Sequence, residues 1–280
     1  MEHKKEAIKD PEILEEYLQF IGYFGERKPT LAVLQELQKL HTQTITFENL
    51  NPLLKYGVDL EIEAISRKIL RQGRGGYCFE QNALFAHVLQ LLGFHIKRLA
   101  ARVLWNLPIG LVVARGHKLL LVDVENEGPY VVDVGFGGLS LTGPLKLEMN
   151  IPQQTPHEVF RIIEGGEQYI IQVNLQDQWK PLYTFSLQEQ QPQDYDAPNF
   201  YISCHPKSHF TYTLIAAKPV PGKRYNLRNN ELTIHHLNGP SEKKLIKDVK
   251  ELKSILTDIF KLNLEGLKGL DEKLEEIVKG

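Results

Sequence analysis

Cysteine is scarce: the 280 residues hold two, Cys78 and Cys204. Two cysteines exclude a disulfide scaffold and suit a reducing compartment. Long apolar runs are missing as well. No stretch approaches the length a membrane-spanning helix needs, and the opening Met1-Glu2-His3-Lys4-Lys5-Glu6 is charged, without the apolar core of a signal peptide. The expectation is a soluble, cytoplasmic protein with no membrane partner. Nor is there a surplus of charge of either sign: Lys and Arg number 33 against 35 Asp and Glu, a net −2. A near-neutral chain gives no reason to expect a nucleic-acid partner. No internal repeat is present, and no obligate protein partner is evident.

What is there is ordinary globular composition, 42% hydrophobic and 24% charged, in a chain long enough for two or three packed units. The first third reads as helices. Asp10-Pro11 has the form of an N-cap followed by proline at the first helical position, and Ile13, Leu14, Tyr17, Leu18 and Ile21 recur at helical spacing. Thr30 opens a second helix with Leu31, Leu34, Leu37 and Leu40 on one face, and a third runs from about Leu60 to Arg71. A fourth, apolar segment runs from Cys78 to Leu92 and ends at Gly93. Short strands bounded by turn residues follow: Ile96 to Leu104, Lys118 to Val124, Tyr130 to Val134, Glu158 to Ile163, Tyr169 to Asn174 and Pro181 to Ser186. Their succession predicts an antiparallel sheet or small barrel. The polar stretch Gln188 to Asn199 reads as a connector. Strands near Tyr212 to Ala217, Arg224 to Asn226 and Leu232 to His236 come next. A helix then starts at Ser241 and carries Leu245, Val249, Leu252, Leu256 and Ile259, and a short amphipathic helix follows Gly266.

The segment Arg74-Gly75-Gly76-Tyr77-Cys78-Phe79-Glu80-Gln81-Asn82 is the most informative. The glycines allow a sharp turn and close approach to a ligand. The apolar helix begins directly after them, which puts Cys78 at a helix N-terminus, where the macrodipole favours a thiolate. The plain alternative is a small buried hydrophobe, as most cysteines are; Cys204, lacking such a setting, is read as structural. A thiolate nucleophile needs a base and a group to orient it. His117 opens the strand Lys118-Leu119-Leu120-Leu121-Val122, and Asp133 interrupts the apolar Tyr130-Val131-Val132-Asp133-Val134 just before Gly135-Phe136-Gly137-Gly138. A buried aspartate is costly unless paired, and neighbouring hairpin strands could set it beside His117. Spacing alone leaves open that Asp133 caps a turn and that His117 merely ends a strand. His235-His236, alternating across a strand, is a poor metal site. His205 and His209 near Cys204 lack the partners of a zinc set, so no metal is expected.

Taken in order, Phe47-Glu48-Asn49-Leu50, Arg74-Gly-Gly-Tyr-Cys78-Phe, His117 before Leu-Leu-Leu-Val, Asp133-Val-Gly-Phe-Gly, and Tyr201-Ile-Ser-Cys-His-Pro206-Lys-Ser208-His-Phe210 resemble the arylamine N-acetyltransferases. The likeness runs from about Tyr17 to the C-terminal helix. It implies an α+β fold: an N-terminal helical bundle carrying the cysteine (residues 1–93), a middle antiparallel β-barrel carrying His and Asp (94–200) and a C-terminal α/β lid (201–280), with a papain/transglutaminase-like Cys-His-Asp triad. It implies acetyl-CoA as donor, an arylamine, arylhydrazine or N-hydroxyarylamine as acceptor, and a ping-pong reaction through acetyl-Cys78. Catalytic roles fall on Cys78, His117 and Asp133, acceptor contacts on Phe47, Phe136 and Gly116, and CoA contacts on Tyr201, Lys207 and Ser208. Arg74 and Glu48 would pair and brace the cysteine loop. Two departures from the family pattern stand out. Thr46 replaces the proline before the phenylalanine, and Arg115-Gly116 stands where Thr-Gly is common, which bears on the acceptor or CoA contact. The same triad order would serve an amide synthase or a transglutaminase-like cysteine hydrolase. A non-catalytic binding protein that keeps the fold is a further alternative, against which all three triad residues count.

Overall fold

The computed structural model describes residues 11–108, 110–237 and 239–280; the N-cap expected at Asp10 lies outside them. Helices α1 (Pro11–Ile21) and α2 (Leu31–Thr44) come first, α2 capped by the Thr30 hydroxyl accepting from Val33 N. Strand β1 (Phe47–Glu48) and the short helices α3 (Leu50–Leu53) and α4 (Ile62–Ser66) lead to α5 (Cys78–Leu91). The third expected helix thus begins at Ile62 rather than Leu60, and its last turn, Arg67–Arg71, is widened into a π-turn.

Strands β2 (His95–Val103), β3 (His117–Val124), β4 (Gly128–Val132), β5 (Leu145–Lys146), β6 (Gln153–Gln154), β7 (Val159–Gly165), β8 (Gln168–Leu175) and β9 (Gln178–Phe185) form one antiparallel sheet in the order β5-β4-β3-β2-β9-β8-β7-β6. Its two edges meet through one side chain. The Gln153 carbonyl accepts from Lys146 N at 2.7 Å, and its amide donates to Lys146 O at 2.8 Å. The sheet is thereby all but closed into a barrel, and neither edge is left unpaired there. Helix α6 (Asp196–Cys204) precedes a second antiparallel sheet. In it β1 pairs with β10 (Ile215–Val220), followed by β11 (Lys223–Arg228), β12 (Glu231–His236) and β13 (Glu242–Leu245). Helices α7 (Val249–Ser254, continued by a π-turn to Ile259) and α8 (Leu270–Lys279) finish the chain.

Two expectations need correction. The connector at 188–199 is in large part ordered: a 3₁₀ turn spans Pro192–Tyr195, and α6 starts at Asp196. The helix expected from Ser241 starts only at Val249, capped by Asp248, whose carboxylate accepts from Lys250 N. Leu245 lies instead on β13, paired with Glu231 and exposed.

The packing that places the site is that of β3. Its residues are buried on both faces, so the run Leu119–Val122 is apolar without alternation. Leu119 and Leu121 face the barrel interior with Phe160, Ile162 and Phe185. Leu120 and Val122 face the helical core with Tyr17, Leu34 and Phe85. A third core joins the second sheet to α7 and α8. Among the described residues, no helix is long and apolar enough to cross a membrane.

Candidate active site

Cys78 is the first residue of α5. The turn before it is set by Glu80, whose carboxylate folds back to accept from Tyr77 N at 3.1 Å and pairs with Lys68 at 2.7 Å. The loop lies alongside β1: Glu48 N donates to Gly76 O (3.1 Å) and Gly76 N to Thr46 O (3.3 Å). Glycine is required at 75, where a Cβ would fall 2.0 Å from Thr46 O. Arg74 and Glu48 brace the loop as expected, Nη2 donating to Oε1 at 2.9 Å. Burial opposes charge on Glu48, but the Arg74 and Lys68 cations outweigh it and bring its carboxyl down to about 2.

His117 opens β3, and Asp133 follows the last residue of β4 rather than lying within the strand. The structure brings the two together: His117 Nε2 donates to Asp133 Oδ2 at 2.6 Å, and both are buried. Asp133 Oδ1 accepts from Asn82 Nδ2 (3.0 Å) and Gly135 N (2.9 Å), so both carboxylate oxygens are engaged. Burial disfavours the imidazolium, but the Asp133 charge, its hydrogen bond and a hydrogen bond to Cys78 prevail and raise His117 to about 10. Asp133 is lowered: burial pushes it up, and His117, Asn82 and the Gly135 amide pull it down further. With Nε2 committed to Asp133, Nδ1 is the ring nitrogen left for Cys78. The thiol also reaches Gly116 O, at 3.8 Å. Gly135 must lack a side chain, since a Cβ there would meet Cys78 Cα at 2.8 Å and Asn82 Nδ2 at 2.9 Å.

Phe136 stands edge-on to the His117 ring at 5.3 Å and remains partly exposed. Phe47, in the cluster that holds Cys78, packs on Phe210 at 6.3 Å. Gly116 faces Ile202 of α6. Tyr201 is 47% exposed and stacks on His205 at 4.6 Å and 20°. Lys207 is exposed, whereas Ser208 is buried with its hydroxyl donating to Ile202 O. Tyr201 lies in the last turn of α6 and Lys207 and Ser208 just beyond it, and none of the three is hydrogen-bonded to a triad residue. Cys204, read as structural, is in fact exposed, while Cys78 is 5% exposed.

Sequence reasoning passed over Asn82 and Tyr183. Asn82 lies one turn after Cys78, a polar residue in an apolar helix, which was a usable signal. Tyr183, buried 5.0 Å from the His117 ring, had none, because it reads as an ordinary barrel residue. Among the described residues no group of three or more His, Cys, Asp or Glu could hold a metal ion. A cavity of about 590 Å³ is lined by Lys68, Arg74 and Glu80 but not by Cys78, His117 or Asp133, so it belongs to the back of the loop rather than to this constellation.

An N-acetyltransferase family model matches residues 30–269. The chain belongs to the arylamine N-acetyltransferase family. It is 38% identical over 261 residues to the arylamine N-acetyltransferase of Mycolicibacterium smegmatis, covering 91% of this chain and 94% of that protein. It is 39% identical over 241 residues to the arylamine N-acetyltransferase / N-hydroxyarylamine O-acetyltransferase of Salmonella typhimurium, covering 86% and 85%. The solved structure of the Mycobacterium marinum arylamine N-acetyltransferase in complex with CoA superposes with a TM-score of 0.90 at 39% identity, covering 95% of this chain and 98% of that one. The mixed α+β fold with its helices, barrel and second sheet is the fold of these family members.

Proposed function

We propose that this member of the arylamine N-acetyltransferases moves an acetyl group from acetyl-CoA onto Cys78 and then to an arylamine, arylhydrazine or N-hydroxyarylamine. The observation that carries the reading is the His117–Asp133 hydrogen bond of 2.6 Å beside a cysteine that starts a helix. An imidazolium held by a buried carboxylate is the natural partner of a thiolate. In the first half-reaction the Cys78 sulfur attacks the thioester carbonyl, the bond to the CoA sulfur breaks, and the departing sulfur takes the His117 proton. In the second, the amine nitrogen attacks acetyl-Cys78 while neutral His117 accepts its proton, and the thiolate leaves. The first-turn N–H groups of α5, which have no intrahelical partner, are proposed as the donors for the oxyanion. Phe47, Phe136 and Gly116 are proposed to line the acceptor side. Tyr201, Lys207 and Ser208 are proposed to meet CoA, Ser208 through its remaining acceptor lone pairs.

The test is intact-mass analysis after rapid quench with acetyl-CoA and no amine. One acetyl group should appear, map to the Cys78 peptide, and leave with hydroxylamine; an arylamine or arylhydrazine should discharge it as the N-acetyl product. Folded protein that gives neither adduct nor a burst of CoA, against a Cys78→Ser control, would sink the acetyl-enzyme and favour an amide synthase or cysteine hydrolase.

A further inference from the structure

Lys118 follows His117 on β3 and is 4% exposed. Successive strand residues face opposite ways. His117 looks into the barrel, against Phe136 and Tyr183, whereas Lys118 looks to the helical side. There its ammonium nitrogen sits 4.4 Å above the Tyr195 ring. Tyr195 is itself fixed, its hydroxyl donating to Leu99 O at 3.0 Å and its ring 5.6 Å from that of Phe79, the residue after Cys78. Among the described residues, Lys118 makes no ion pair with a carboxylate and no side-chain hydrogen bond, only this ring contact. A buried ammonium is ordinarily neutralised by a carboxylate, and a single aromatic face compensates only part of its lost hydration.

The groups that face it are few. Arg98, on β2 beside it, shares its face of the sheet and spends its guanidinium on Gln90. Tyr195 comes from the 3₁₀ turn and Cys78 from α5. Burial lowers the Lys118 ammonium to about 7, Arg98 adds to that, and Cys78 is the group that opposes it. Lys118 is thus packed against the start of the nucleophile's helix, through Tyr195 and Phe79 and through Asn82 Nδ2 donating to Lys118 O at 2.8 Å.

We propose that Lys118 is a positioning residue for charge, a second counter-cation of the Cys78 thiolate, which holds its proton more tightly while Cys78 is free than when Cys78 is acylated. The inference rests on the acyl-carrier reading. Acylation forms the S–acyl bond, breaks the acyl–CoA bond, and sends the His117 proton to the CoA sulfur. The anion is then gone, and part of the Lys118 proton occupancy passes to bulk buffer; thiolate release on deacylation draws it back.

The test uses the whole chain labelled with ¹³C,¹⁵N-lysine, the Lys118 signal being assigned by its loss in Lys118→Arg. In free enzyme the signal should titrate near neutral pH. Carbamidomethylation of Cys78 removes the thiolate without acetyl-CoA and should lower the midpoint by about half a unit or more, and Cys78→Ser should do the same. An unchanged midpoint in both overturns the proposal. Separately, Lys118→Met should slow alkylation of Cys78 by neutral iodoacetamide at pH 7 by roughly fivefold, and Lys118→Arg should restore most of the rate; equal rates in all three proteins also overturn it. If Lys118→Met does not fold, the titration in the native sequence still decides. A midpoint that falls on alkylation in a protein that never forms an acetyl adduct keeps the charge coupling and removes the acyl-carrier reading alone.

Discussion

Replacing Asp133 by Asn is the sharpest perturbation of the site, because it changes one charge and almost no volume. The Asn oxygen can still accept from Gly135 N and Asn82 Nδ2, as Asp133 Oδ1 does at 2.9 and 3.0 Å, so the turn should survive. Facing His117 Nε2, however, an NH₂ donor replaces an acceptor, and the ring must give up its proton there. The magnitude follows from His117. It is raised from 6.5 to about 10 although burial drives it down, so Asp133, its hydrogen bond and Cys78 together outweigh burial by on the order of 5 kcal/mol, with Asp133 the largest of the favourable causes. Without that charge burial prevails, and His117 should be neutral throughout the range above pH 6.5. The thiolate–imidazolium pair is lost and turnover should fall by roughly 10³- to 10⁴-fold. The assay pairs acetyl-CoA burst kinetics with imidazole ¹⁵N shifts followed by titration, and circular dichroism to establish folding. A folded Asp133→Asn protein that keeps full turnover, or whose His117 still titrates near 10, refutes the reasoning.

Three further outcomes are expected. Iodoacetamide should modify Cys78 faster than Cys204 although Cys204 is the exposed thiol and Cys78 the buried one; accessibility alone predicts the reverse order, so equal or inverted rates at pH 6 count against an activated nucleophile. His41, buried and accepting from Tyr17 OH at 2.9 Å, is lowered by burial to about 3 despite its contact with Gln81. The unfolded chain therefore takes up a proton at this site that the folded chain refuses, so its stability contribution is complete above pH 6.5 and fades as pH falls toward 3; the drop in Tm between pH 7 and 4.5 should be shallower in His41→Gln, and parallel slopes would exclude the assignment. Tyr201→Ala should raise the KM for acetyl-CoA severalfold while sparing p-nitrophenyl acetate hydrolysis, which needs no CoA contact; equal losses would make Tyr201 a fold residue.

How far the sequence could be read depended on whether burial was apolar. The helix start at Cys78 and the opening of β3 at His117 were legible, because glycines and a run of apolar residues mark both. The helix at Asp196–Cys204 was not, because its inward residues bury polar atoms: Asn199 donates to Val58 O at 2.8 Å and accepts from Tyr77 OH, and Ser203 donates to Asn199 O. Hydrophobic periodicity has nothing to count there. The opposite error occurred at Leu245, which falls by coincidence on the period of α7 and lengthened that helix into β13; Asp248, the true cap, was the better signal. Lys118 was hidden by its neighbours, since in His-Lys-Leu-Leu-Leu-Val it reads as the exposed end of a strand.

The three candidate catalytic side chains come from different elements, and one carboxamide sets their register. Asn82 stands on the nucleophile's own helix, one turn beyond Cys78. Its Nδ2 donates to Lys118 O, on the strand that begins with His117, at 2.8 Å and to Asp133 Oδ1 at 3.0 Å, and its Oδ1 accepts from Val134 N at 3.2 Å. Helix, base-bearing strand and acid-bearing turn therefore cannot shift relative to one another without breaking buried hydrogen bonds, each costing about 1–3 kcal/mol if left unmade. Gly135 makes this closeness possible, since any larger residue would collide with Cys78 Cα and with the Asn82 amide itself. The β3–β4 pairing sets His117 beside Asp133, and Asn82 ties that pair to the helix that carries the nucleophile.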